Sequence, residues 1–266
     1  AHHPMNPFDA VREAVCGTPG IRCDTWHLFV DPAIIRFFGE GLLETLKLSI
    51  VSVLLSFVVG LLFALGRLST RAWIRWPSIL YIETIRALPV LLLIVYFGIK
   101  GTALFRPIMT PIFGEDFELS RFWAGVLGLS LYTSAVLAEI IRAGIAALPK
   151  GQTEAASALG LSYVQSMRFV VLPQALRLMV PAMMGQLTTV IKDTSLVATI
   201  GVFELVRQGR VIYTQYFNPL EVFLYIAVIY FVICFALSQA SRRLEISAPV
   251  EAKVKIQEVQ LRDQVA

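Results

Sequence analysis

Charge is what this 266-residue chain has least of. Asp, Glu, Lys and Arg together make up 16% of it, where a soluble globular chain carries about 25%. Histidine is scarcer: His2, His3 and His27 are the only three, so paired histidines cannot ligate haem or metal in the rest of the chain. There is no Gly-Lys dipeptide, hence no Walker A loop for nucleotide phosphates, and neither HExxH nor GxSxG occurs. Any ATP-driven work therefore needs ATP and Mg bound by a separate ATPase chain; no cofactor is expected on this one. Three cysteines are too few for a disulfide scaffold, and a dispersed formal net charge of +4 is too weak for a nucleic-acid binder. What takes the place of charge is apolar: 56% of residues are hydrophobic and the mean hydropathy is +0.70. One soluble core of this size cannot absorb that surplus, which points to an integral membrane protein.

The surplus falls into five stretches. Leu48 to Gly66 and Val222 to Ser241 contain no charge, and each is long enough to cross a hydrocarbon core of about 30 Å as a helix. Ile79 to Ile99 is interrupted by Glu83, Arg86 and Pro89; Phe122 to Leu148 by Glu139 and Arg142; Leu176 to about Phe203 by Arg177, Pro181, Lys192 and Asp193. None shows the alternation of a membrane β-barrel. The expectation is all-α, with five transmembrane helices over 42–245, an extracytoplasmic segment over 1–41 and a tail over 246–266. Arg67, Arg71 and Arg75 follow the first span, Lys150 and Arg168 the third, Arg242 and Arg243 the fifth. The bias of Lys and Arg toward the cytoplasm then puts the N-terminus outside and the C-terminus inside. The first forty residues lack the apolar run of a signal peptide. Cys16 and Cys23 would face the oxidising side, as a disulfide or as two free thiols.

Two charged pairs stand out. Glu83 and Arg86, and Glu139 and Arg142, are each spaced i, i+3 on one helix face. A charge at the bilayer centre costs about 2.5–3.5 kcal/mol on insertion scales, so each needs a partner or water. Similar depths suggest one network of all four, which reads as a static clamp, a gate remade during turnover, or a substrate contact. Lys192, Asp193, Thr194 and Ser195 lie farther along the fourth span, where they either touch substrate or an outer gate, or satisfy backbone where the helix loosens. Pro89 and Pro181 are expected kinks. Tyr96, Phe97 and Tyr132 fit packing or a pocket.

Between the third and fourth spans the chain reads Pro149-Lys-Gly-Gln-Thr-Glu154-Ala155-Ala156-Ser-Ala-Leu-Gly160, then continues to Val170-Val-Leu172-Pro173-Gln174. Periodicity gives a short helix broken near Gly160 and a second helical turn stopped by Pro173. Ala155, Ala158, Leu159 and Tyr163 share one semi-apolar face. Such a helix fits the membrane surface and a partner's groove equally well. Glu154, Ala155, Ala156, Gly160, Leu172 and Pro173 resemble the EAA motif of ABC importer permeases, with Val170 where that pattern has Ile. Glu139-Ile-Ile-Arg142, Lys150-Gly151-Gln152 and Lys192-Asp193-Thr194-Ser195-Leu196 are similar to its polar amino-acid branch.

The resemblance implies a type I importer permease in the bacterial cytoplasmic (inner) membrane. It implies pairing with a second permease subunit, identical or paralogous, with cytoplasmic ABC ATPase subunits and with an extracytoplasmic amino-acid-binding protein. The segment from Glu154 to Pro173 would be the coupling helix that docks in a cleft on the ATPase, with Gly160 permitting its bend. An amino acid's carboxylate and ammonium suit the intramembrane charges. Arg86-Ala87-Leu88-Pro89 departs from the Arg-Gly-Thr-Pro associated with many polar amino-acid permeases, which tilts the expectation toward glutamate ahead of glutamine or basic amino acids. The alternative is an ion-coupled secondary amino-acid transporter.

Overall fold

The computed structural model describes residues 29–216 and 219–246; Cys16, Cys23, most of the expected N-terminal segment and all but the first residue of the expected tail lie outside the described residues. No strand occurs among those described. Helix α1 (Pro32–Arg67) starts where Asp31 accepts the Ala33 N–H at 2.8 Å, with Pro32 in the first turn, where its missing N–H costs nothing. Then follow α2 (Ala72–Ala87), α3 (Val90–Phe113), α4 (Arg121–Ala146) and the short α5 (Lys150–Ala158). The chain continues through α6 (Tyr163–Ser166), a π turn over Met167–Val171, α7 (Leu172–Asp193) and a 3-10 stretch over Thr194–Ile200. Helices α8 (Leu205–Tyr216) and α9 (Pro219–Ile246) complete the described chain. Among the described residues, five helical segments are long and apolar enough to cross a membrane: Pro32–Arg67, Val90–Phe113, Arg121–Ala146, Tyr163–Ile200 and Pro219–Arg243.

The second span differs from the expectation of one helix over Ile79 to Ile99. The chain breaks at Leu88, which is extended (φ −91°, ψ 140°), the conformation into which a following proline forces its predecessor. Pro89 is thus a break rather than a kink, and Glu83 and Arg86 belong to α2, ahead of the apolar span. Pro173 does not stop a helix either. The π turn widens the backbone just before it, and the chain runs on into α7 with Pro173 in its first turn.

Lipid tails compete with apolar side chains for one another, so membrane helices associate through small residues and hydrogen bonds. On α1, Ser49, Ser52, Ser56, Gly60 and Ala64 are buried at a spacing near four, and most of α4 between Ala124 and Ile141 is buried behind them. The Ser56 hydroxyl lies 2.6 Å from the Ser52 carbonyl and 3.1 Å from that of Ser130 on α4, and the Ser130 hydroxyl donates back to Ser52 O at 3.3 Å. Helix α3 approaches α4 at Gly128, where a β-carbon would lie 2.6 Å from the Ile94 Cα and 2.9 Å from its N. Backbone cannot give way as a side-chain end can. Gly128→Val is therefore expected to destabilise the protein in detergent by about 1–3 kcal/mol, read as a lowered thermal midpoint. Gly39→Ala, with nothing within 4 Å of the new carbon, should leave that midpoint unchanged or raised.

Glu204, fully buried, organises the other end of the bundle. Its carboxylate accepts the N–H groups of Val206 (2.9 Å) and Arg207 (2.7 Å), capping α8, and the Tyr230 hydroxyl of α9 lies 3.4 Å away. Burial raises its pKa, and the two backbone donors oppose that shift.

Candidate functional site

The ends of α1 and α4 and the start of α7 meet at the α5 end of the bundle. There Arg67, the last residue of α1, places Nη1 2.8 Å from Glu83 of α2 and 2.7 Å from Glu139 of α4. Glu139 also accepts from Arg142 Nε at 3.1 Å. Charges thus alternate along Glu83–Arg67–Glu139–Arg142. The middle is the least wetted, with Arg67 22% and Glu139 18% exposed, so their attraction is weakly screened. This corrects the expected network in one member. Arg86 forms no ion pair among the described residues, and Arg67 stands where Arg86 was expected. The break at Leu88 explains the exchange, because α2 lies across the end of α1, with Ser78 beside Gly66, and so presents Glu83 to Arg67.

Arg86 faces a cavity instead. Between α2, α4 and α7 lies a cavity of about 720 Å³, bounded by Glu83, Arg86, Tyr132, Gln186, Thr189 and Asp193 among others. It contains a cation, two carboxylates and neutral hydrogen-bonding groups. Glu83 belongs both to the cavity and to the charge chain, so the chain forms part of the cavity wall. Of the four residues from Lys192 to Ser195, only Asp193 lines it. Lys192 is exposed, Ser195 is half-buried, and the buried Thr194 hydroxyl donates to Ile191 O at 2.7 Å where α7 tightens into the 3-10 stretch. Tyr132 lines the cavity, whereas Tyr96 and Phe97 pack edge to face outside it.

The polar segment forms a helix–bend–helix. Gly160 adopts φ +76°, and Ser162 caps α6 reciprocally with Gln165. Leu159 and Tyr163 are 82% and 61% exposed, and Glu154, Ala155 and Ala158 are exposed too, so the semi-apolar face read from the sequence is bare of cover from the described residues. Ala156 is turned inward at 2% exposure and packs within the chain, which leaves Ala155 alone of that pair on the free face. Leu172 is half-buried and Pro173 exposed at the start of α7. Gln174 Nε2 donates to Gln152 Oε1 at 3.0 Å, tying α5 to α7.

Residues 56–245 match the family model described as binding-protein-dependent transport system inner membrane component. The chain belongs to this family. It is therefore an ABC transporter permease, a multi-helix component of the inner membrane that is not itself an ATPase. The permease is 38% identical over 228 residues to the glutamate transport system permease protein GluD of Corynebacterium glutamicum, covering 86% of this chain and 78% of that one. It is 38% identical over 217 residues to the probable glutamine ABC transporter permease protein GlnP of Bacillus subtilis, covering 80% and 94%. Among solved structures it superposes on the crystal structure of an amino acid ABC transporter with histidines at a TM-score of 0.69 and 34% identity, covering 79% of this chain and 94% of that one. The relatives transport amino acids, and the permease shares their all-helical, type I importer fold.

Two features of the permease carry little signal in the sequence. Arg67, a basic residue just after a span, reads as a mark of the cytoplasmic side and not as an ion-pair partner. Helix α8 is too short and polar to register as a span, but Leu205, Gln208, Gly209 and Ile212, its buried residues, follow one helical face behind Glu204.

Proposed function

We propose that the permease forms half of the translocation pore of an ATP-driven importer of a polar amino acid, with glutamate the favoured substrate. In this reading the N-terminus faces outward and α5 faces the cytoplasm, where α5 docks on a separate ABC ATPase. A second permease subunit completes the pore, and an extracytoplasmic binding protein delivers the substrate. The observation that carries the coupling is the bare face of α5 and α6, in which Glu154 offers a carboxylate to basic groups on the partner beside exposed apolar residues. ATP and Mg act in the partner. Their closure moves α5, and the Gln152–Gln174 contact passes that movement to α7.

The cavity takes the substrate. Its volume falls within the range of about 300–1,000 Å³ usual for small-molecule sites. Arg86, which forms no ion pair among the described residues, receives the substrate's α-carboxylate and Asp193 its ammonium; Tyr132, Gln186 and Thr189 supply neutral contacts. The charge chain closes the cytoplasmic end of the cavity and is remade during turnover. The lean toward glutamate rests on the Arg86-Ala87-Leu88-Pro89 sequence, in line with one of the relatives named above. Competing uptake of labelled glutamate, glutamine and arginine by the reconstituted complex tests it, and a preference for arginine would overturn it. Arg86→Ala is expected to raise KM for uptake at least about tenfold, the loss of one charge-assisted contact, while leaving copurification of the ATPase intact. An unchanged KM would remove Arg86 from the substrate's path.

A further inference from the structure

A second cleft of about 720 Å³ lies at the end of α1 and shares no lining residue with the substrate cavity. One wall is the end of α1 and its turn into α2, with Leu62, Leu65 and Arg71; the other is α6 and the π turn, with Val164, Met167 and Arg168. Its polarity is divided. Leu62 is 66% and Val164 71% exposed, bare apolar surface that continues the bilayer-facing side of α1. The two arginines line the cleft together with Ser69 and Thr70. Neither Arg71 nor Arg168 forms an ion pair among the described residues, and no carboxylate lines the cleft. Beside it, Trp73 and Trp76 are 71% and 64% exposed, and tryptophan concentrates at the membrane–water boundary. A cleft that is apolar toward the bilayer and cationic at the headgroup level matches a molecule with the same division.

We propose that this cleft holds an anionic glycerophospholipid of the leaflet on the α5 side. Its phosphodiester lies between Arg71 and Arg168, and an acyl chain lies along Leu62 and Leu65. Bound there, the lipid bridges the end of α1 to the segment that follows α5. It would steady the α5 bend in the membrane plane without contacting substrate.

The test uses the full chain in phosphatidylcholine vesicles, with Trp26→Phe and Trp123→Phe leaving Trp73 and Trp76 as reporters among the four tryptophans. Brominated phosphatidylglycerol should quench them more strongly than brominated phosphatidylcholine at the same mole fraction. A basic side chain near a membrane surface contributes about fivefold to anionic-lipid binding. Arg71→Gln with Arg168→Gln should therefore lower the preference roughly 25-fold, whereas Arg71→Lys with Arg168→Lys should keep most of it. The preference should survive excess inorganic phosphate. Equal quenching by the two lipids, a preference indifferent to the double Gln change, or its abolition by inorganic phosphate (a free-anion site) would each overturn the proposal.

Discussion

Reversing any one charge of the Glu83–Arg67–Glu139–Arg142 chain should abolish uptake, and inverting all four together should bring it back. Each interior member touches two opposite charges, so a single reversal turns two attractions into repulsions. Arg67→Gln alone leaves Glu83 unpaired and Glu139 with half its partners. The cost is about 2–3 kcal/mol, below the roughly 3–5 kcal/mol of a fully buried pair because Arg67 keeps 22% exposure. The two-residue swap Glu139→Arg with Arg142→Glu, which would suffice for an isolated pair, should fail. It sets the new arginine against Arg67, whose Nη1 lies 2.7 Å from the present carboxylate. Uptake and thermal midpoint measured across the series separate the outcomes. Full recovery by the two-residue swap would place Arg67 outside the network.

The second large effect is expected at the α5 bend. At Gly160 a β-carbon meets nothing within 4 Å, so any cost of substitution comes from the backbone at φ +76° alone. A β-branched residue is a conformational outlier there, whereas Asn tolerates that region. Left-handed backbone costs about 1–2 kcal/mol for an ordinary residue, enough to shift the bend's population close to tenfold. Gly160→Val should therefore uncouple the permease, with copurifying ATPase and uptake both lost, and Gly160→Asn should retain both. Glu154→Lys, on an exposed residue, should lose the ATPase without any loss of permease stability. Retained ATPase in both Gly160→Val and Glu154→Lys would refute the docking role of α5.

How much of this was legible in the sequence depended on whether the information was contiguous. Glu154 to Pro173 carries its motif in one run, and its free face was readable from helical spacing alone. Long apolar stretches, two of them free of charge, exposed the spans because length and hydropathy are local quantities. The break at Leu88 was not distinguishable from a kink, since Pro89 is compatible with both and only packing selects. Arg67 illustrates a deeper limit. A positive charge after a span serves equally as a topology signal and as an ion-pair partner, and its pairing spans 16 residues to Glu83 and many more to Glu139. The Ser52–Ser56–Ser130 contact between α1 and α4 was hidden for the same reason: small residues in an apolar run read as filler until the opposing helix is in place. Lys192 and Asp193 are adjacent in sequence, yet only Asp193 reaches the cavity, because neighbours on a helix point about 100° apart.

The most direct measurement is uptake of labelled glutamate into proteoliposomes holding the permease with the ATPase and binding protein proposed for it, with either ATP or an imposed proton or sodium gradient as the only energy source. Coupling through α5 requires accumulation with ATP, none with a gradient alone, and loss of the ATP-driven signal on Glu154→Lys. Accumulation driven by a gradient without ATP, or ATP-driven uptake undiminished by Glu154→Lys, would contradict it.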